Sequence, residues 1–167
     1  IGLGLAPGQE LVMTATLDAV PLARRITEHA YKAGASLVTT MFTDEQSSLL
    51  RFRYGSDAAF DTAASWLYDG MAQAYKKGAA RLAIAGNDPS LLSKEDPDKV
   101  SRANRAMSKA YRPALELIVR HDINWTIVAC ATPAWAAAVF PALPQDEAIA
   151  RLWDAIFAAS RADRSDA

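Results

Sequence analysis

Polar side chains that could do chemistry gather where short apolar runs end: Thr16, Asp18, Thr43, Asp44, Asn87, Asp88 and Thr132, with Trp135 close behind. Aspartates converging on one edge could hold a divalent cation or bind the amine of a substrate. The same residues have a plainer use. Asp, Asn and Thr are the types that cap a helix, accepting its first free N–H groups and favouring its positive end. Local geometry alone accounts for an acid at each turn, so the capping reading needs no ligand. Asp44, Asp88, Thr132 and Trp135 stand as the candidates for lining a cleft, Trp135 because it lies just inside a helix at that edge.

Other chemistries find less support. His29 and His121 are the only histidines, and neither has a partner at a metal-binding spacing such as His-Glu-x-x-His. Cys130 closes an apolar run and reads as a small core residue, without the neighbouring base a nucleophile needs. The Gly-x-Ser-x-Gly motif is absent. Gly2, Gly4 and Gly8 precede the first strand instead of following it, which argues against a dinucleotide-binding loop. Arg102, Arg105, Lys109 and Arg112 form a basic stripe at helical spacing. With no interleaved aromatics to stack on bases, the stripe reads as a solvated face and gives no case for nucleic acid. The residues themselves therefore assign no catalytic group and no metal ligand.

The elements that must position these groups follow from periodicity. Short apolar runs predict strands at Glu10–Thr16, Ser36–Phe42, Arg81–Ala85 and Ile123–Cys130. Leu50, Phe52 and Tyr54 alternate with Arg51 and Arg53, which fits a fifth, edge strand and a short helix after Asp44 equally well. Helical spacing predicts a helix capped by Asp18 and running to about Lys32. A second covers roughly Asp57 to Lys76, and a last one Gln145 to Ser160. Another starts at Asp96-Pro97 with Val100, Ala103, Met107, Ala110, Ala114 and Ile118 inward, and Pro113 should bend or break it near Tyr111. A capping residue followed by proline marks helix starts at Asp88-Pro89, Asp96-Pro97 and Thr132-Pro133.

Ala30-Tyr-Lys-Ala-Gly-Ala recurs as Ala74-Tyr-Lys-Lys-Gly-Ala, each a helix end, a glycine suited to a left-handed turn, and then a strand. Strands alternating with helices in this way predict an α/β fold. The expected sheet is mainly parallel, of four to five strands with helices on both faces, a three-layer Rossmann-like or flavodoxin-like arrangement.

At 167 residues the chain is expected to form one α/β domain, residues 1–167. A formal net charge of −1 supplies no general attraction to nucleic acid or anionic membrane. No apolar run is long enough to span a bilayer, no signal peptide is evident at the start, and a single cysteine excludes intramolecular disulfides. A cytoplasmic location is the resulting expectation. The opening Ile1-Gly-Leu-Gly-Leu and the closing Ser160-Arg-Ala-Asp-Arg-Ser-Asp-Ala read as cut points within a longer chain.

Several segments, in order, resemble the metallo-aminopeptidases called aminopeptidase S and aminopeptidase T. They are Leu5-Ala-Pro-Gly-Gln-Glu-Leu-Val, the two Ala-Tyr-Lys-x-Gly-Ala joints, Gly86-Asn-Asp-Pro, Asn124-Trp-Thr-Ile-Val-Ala, Thr132-Pro-Ala-Trp and Leu152-Trp-Asp-Ala-Ile-Phe. The resemblance implies an N-terminal α/β domain of an enzyme that releases N-terminal amino acids from peptides and forms homodimers. It also implies that divalent metal ions (zinc, cobalt or magnesium) and the catalytic groups belong to a C-terminal domain absent from this sequence. On this reading the present residues shape the cleft, support assembly and are inactive alone. The alternative is a free-standing α/β module binding a nucleotide or other small ligand, with helix starts at Asp88-Pro89 and Thr132-Pro133 facing phosphate.

Overall fold

The computed structural model describes residues 2–162. Four strands form one parallel sheet: β1 (Glu10–Thr16), β2 (Leu37–Thr43), β3 (Ala80–Ala85) and β4 (Trp125–Ala129), in the order β2-β1-β3-β4. In register, Leu11 lies beside Val38 on one side and Ala80 on the other, and Arg81 lies beside Trp125. Because β1 is central, Leu11, Val12, Met13, Ala15 and Thr16 are all buried, and the strand lacks the polar alternation of a half-exposed one. The edge strands β2 and β4 leave Leu37, Phe42, Trp125 and Ile127 partly in solvent.

One face packs Leu11, Met13, Leu82 and Ile84 against Ala19, Ala23 and Ala30, with Trp153 closing the cluster. These alanines belong to α1 (Val20–Lys32) and the short 3-10 turn before it, and Trp153 to α6 (Gln145–Ser160). Their small side chains bring helix close to sheet. The other face is covered by α3 (Ser65–Lys76) and α4 (Pro97–Val119), with Met71, Tyr75, Ala114, Leu117 and Ile118 meeting Val12. Two shorter helices, α2 (Glu45–Tyr54) and α5 (Pro133–Val139), lie beyond the strand ends, and α5 packs on α6.

The two repeated joints behave as expected. Gly34 and Gly78 take φ of 93° and 92°, the left-handed turn that ends α1 and α3 and that a side chain would strain. Gln9 ties the far edge of the sheet: its amide donates to Gly78 O and to Asn124 Oδ1, both at 2.7 Å.

One open alternative is resolved and three expectations need correction. Residues 50–54 belong to helix α2, so the sheet has four strands among the described residues. Asp18 caps nothing; it lies in the 3-10 turn Leu17–Ala19, and α1 starts after it. The expected helix from Asp57 to Lys76 is interrupted after a 3-10 turn, Asp57–Asp61. There Arg51 donates to the carbonyls of Ala59 and Thr62, and Phe60 is drawn inward against Phe52. Finally, α4 runs unbroken through Pro113. Pro113 is exposed, so the carbonyl it orphans can turn to water, while Ala114, Leu117 and Ile118 hold the following turns on the core.

Candidate functional site

The strand order reverses between β1 and β3, and a parallel sheet presents its ligand crevice beyond the strand ends at such a point. Beside that point, at the ends of β3 and β4, the chain closes on itself. A side chain at Gly86 would put its Cβ 2.6 Å from Cys130 O and 2.8 Å from Thr132 Cγ2. Thr132, 1% exposed, donates to Gly86 O at 2.5 Å and accepts from Trp135 N at 3.4 Å. The ends of β3 and β4 are thereby sewn together.

Asp44 and Asp88 at the same edge are engaged by their own loops. Asp44 accepts from Gln46 N at 3.0 Å and from Ser47 Oγ at 2.7 Å, bonds that hold its carboxyl below the usual 3.8, the Ser47 hydroxyl acting most strongly. Asp88 Oδ1 accepts from Ser90 N at 2.8 Å and Ser90 Oγ at 2.7 Å. Those bonds shape a turn and not the expected helix start, since residues 89–95 form turns. Glu45, unremarked in the sequence, links the two loops by accepting from Asn87 Nδ2 at 3.1 Å and Asp88 N at 3.0 Å. Of the two helix starts an anion site would use, one is absent and the other begins a seven-residue helix that Thr132 already caps.

Trp135 joins a cluster with Leu143, Ile149 and Leu152 where α5 meets α6. Cys130 is buried, and burial, with the Asp18 charge secondary, pushes its thiol above the usual value. Thr16 is the exception at this edge, 4% exposed with a hydroxyl that has no partner.

The histidines do not converge. His29 is exposed on α1, and His121 follows α4 with φ of 59° and Nδ1 3.0 Å from Val119 O. Among the described residues no three His, Cys, Asp or Glu side chains come together as a metal ion would require. The basic stripe is partly spoken for as well. Arg102 binds Asp57 at 2.8 Å and Asp61 at 2.5 Å, fastening α4 to the 3-10 turn, and Arg112 pairs with Glu116 at 3.0 Å.

A cavity lies elsewhere, between the sheet and the helices α3 and α4. It measures about 300 Å³ and is lined by Thr14, Met41, Met71, Met107, Tyr68 and Tyr111 among others, with Arg81 in its wall. Tyr68 and Tyr111 meet edge-on with ring centres 5.5 Å apart, and burial raises the Tyr68 hydroxyl above its usual value. Arg81 was visible in the sequence as a charge in the apolar run Ala79-Ala-Arg-Leu-Ala-Ile-Ala, although it reads there as the start of a strand.

Fold and site together define an α/β architecture of the three-layer type, with no three His, Cys, Asp or Glu side chains gathered among its described residues. The chain belongs to the thermophilic metalloprotease (M29) family, whose pattern it matches over residues 1–167. It is 49% identical over 166 residues to aminopeptidase T of Thermus thermophilus, covering 99% of this chain and 41% of that protein. Aminopeptidase 2 of Geobacillus stearothermophilus is 34% identical over 99% of this chain and 40% of its own length. The solved structure of wild-type AmpT from Thermus thermophilus superposes with a TM-score of 0.91 at 48% identity, covering 94% of this chain and 40% of that one. The chain thus spans about two-fifths of the length of the curated relatives it matches.

Proposed function

We infer that these residues are the N-terminal domain of a metal-dependent aminopeptidase that removes N-terminal amino acids from peptides. The observation that carries this is the ordered similarity to proteins named aminopeptidase over 99% of the chain. The described residues supply no donor set for a metal, so no catalytic step is assigned to them. Zinc, cobalt or magnesium, with its ligands, would be held by the rest of the polypeptide. The domain's own contribution is architectural: it narrows access to peptide ends and supports a homodimer. Asp44 and Asp88 at the strand-end loops, with Thr132 fixing Trp135, form the surface turned toward the remainder of the chain.

Hydrolysis of a leucine chromogenic substrate tests this, comparing these 167 residues with the polypeptide encoded by the complete gene. Turnover only in the longer protein, abolished by a chelator and restored by metal, is expected. Metal-dependent turnover by the 167 residues alone would mean that a catalytic centre has been overlooked. Within the longer protein, Trp135→Ala should change peptide selectivity or assembly. If neither moves, the lining role is wrong.

A further inference from the structure

The cavity under α3 and α4 contains a cation without an anion. Arg81 Nε–H is buried with no acceptor, and among the described residues no carboxylate pairs with this side chain. Its guanidinium carbon lies 6.0 Å from the centre of the Trp125 ring, at the outer reach of a cation–π contact. Close to it Tyr75, 2% exposed, also has a hydroxyl with no partner. The neighbourhood therefore holds two unsatisfied polar groups and no anionic acceptor for the guanidinium, which is costly in a low-dielectric interior. A carboxylate is acceptor-only and matches the guanidinium fork.

The rest of the wall says what should accompany that carboxylate. Met41, Leu67, Met71 and Met107 offer an adaptable apolar lining, and Tyr68 and Tyr111 add aromatic surface. Its volume is at the lower end for ligand pockets, suited to one aromatic ring or a medium aliphatic chain. No Asp or Glu lines it, so nothing answers an ammonium group. Free amino acids are disfavoured on that ground, despite carrying the right carboxylate.

We propose that this cavity binds a carboxylate attached to an apolar body, with the carboxylate against Arg81 and the body among the methionines. A small free acid and the C-terminal residue of a peptide share that chemistry. The inference does not rest on the aminopeptidase reading, because it concerns binding by these residues alone.

The chain's four methionines allow a direct test by NMR of ¹³C-labelled methionine methyls. Met41, Met71 and Met107 line the cavity, whereas Met13 is buried in the cluster on the opposite face and serves as the internal control. Titration with 3-phenylpropionate should shift the three cavity methyls saturably and leave Met13 still. Phenylalanine and 3-phenylpropanol should each bind more weakly, the first for its ammonium, the second for want of charge. N-acetyl-glycyl-phenylalanine and its C-terminal amide separate the two sources: binding of the free peptide but not the amide admits chain ends, and binding of 3-phenylpropionate alone restricts the site to small acids.

Arg81→Gln should weaken 3-phenylpropionate about tenfold or more, the usual worth of a charge-assisted pair. Met107→Trp, at a rim residue that is 46% exposed, should plug the opening and abolish the Met41 and Met71 shifts without touching the core. Its folding is checked by an unmoved Met13 signal. No saturable shift at the cavity methyls, equal binding of the alcohol, or undiminished binding by either folded variant would overturn the proposal.

Discussion

The turns beyond the strand ends and the cavity beneath α3 and α4 invite comparison, because both carry polar groups in sheltered places. At the turns, Asp44, Asp88, Glu45 and Thr132 each find a partner close by, in their own loop or the adjoining one. In and beside the cavity, Arg81 Nε and the Tyr75 hydroxyl find none. The difference teaches that residue type marks where a chain could do chemistry, while unmet hydrogen-bonding capacity marks where it still has something to bind. Thr16, at a strand end yet unpartnered, is the one buried polar group among the described residues that crosses the division.

The comparison can be broken most severely at Gly86. Gly86→Ala should cost about 3 kcal/mol, the upper end for overpacking, because a backbone oxygen at 2.6 Å cannot yield. Urea unfolding measures it, and a loss under half that would mean that the strand ends are looser than described.

Thr132→Val removes a satisfied hydroxyl and a cap together and should cost about 2 kcal/mol, with Thr132→Ser recovering most of it. Tyr75→Phe removes an unsatisfied one and should be neutral or stabilise by up to about 1 kcal/mol. If both substitutions cost the same, Tyr75 has a partner after all and the contrast collapses. Thr16→Val, the exception, should behave like Tyr75→Phe.

Smaller effects sharpen the picture by pH. Hydrogen bonds from Arg102 chiefly hold Asp57 and Asp61 below the usual carboxylate value of 3.8. Above 3.8 both carboxylates are ionised whether the chain is folded or not, so the pairing contributes fully. It is lost as pH falls below 3.8 through the depressed values. Acid unfolding should therefore steepen in that range, and Arg102→Gln should flatten it. Because these groups are solvent-exposed, the change near neutrality should be slight.

Asp44→Asn should do least at neutral pH, since the amide oxygen can still accept the Gln46 N–H. The metal reading of that edge meets its test in the same protein. A rise in unfolding midpoint with zinc in the wild type but not in Asp44→Asn would make the strand ends a cation site.

Much of the fold could be read in advance. β1 and α6 have the bounds their periodicity predicts, and the paired Ala-Tyr-Lys-x-Gly-Ala joints place both left-handed glycines. What escaped depended on tertiary partners. Asp88-Pro89 and Asp96-Pro97 look alike locally, yet only the second is followed by residues whose apolar stripe can rest on the sheet. The break after Asp61 needed Arg51 from an earlier helix, and Pro113 was tolerated because of which way it faces. At the site, the candidates were chosen by type and place, and no local pattern says whether a cap is already complete. Arg81 was the more informative residue, a charge within an apolar strand, but its meaning needed the two helices that enclose it.

The position of β1 between β2 and β3 also has a consequence for how the chain is made. As the polypeptide leaves the ribosome, β1 can pair first with β2, its near neighbour in sequence. Its other edge must wait for Ala80–Ala83, and the covering helix α4 ends only at Val119. Through that interval the nascent chain presents a bare strand edge and an uncovered apolar face, the combination most prone to pairing with the wrong partner.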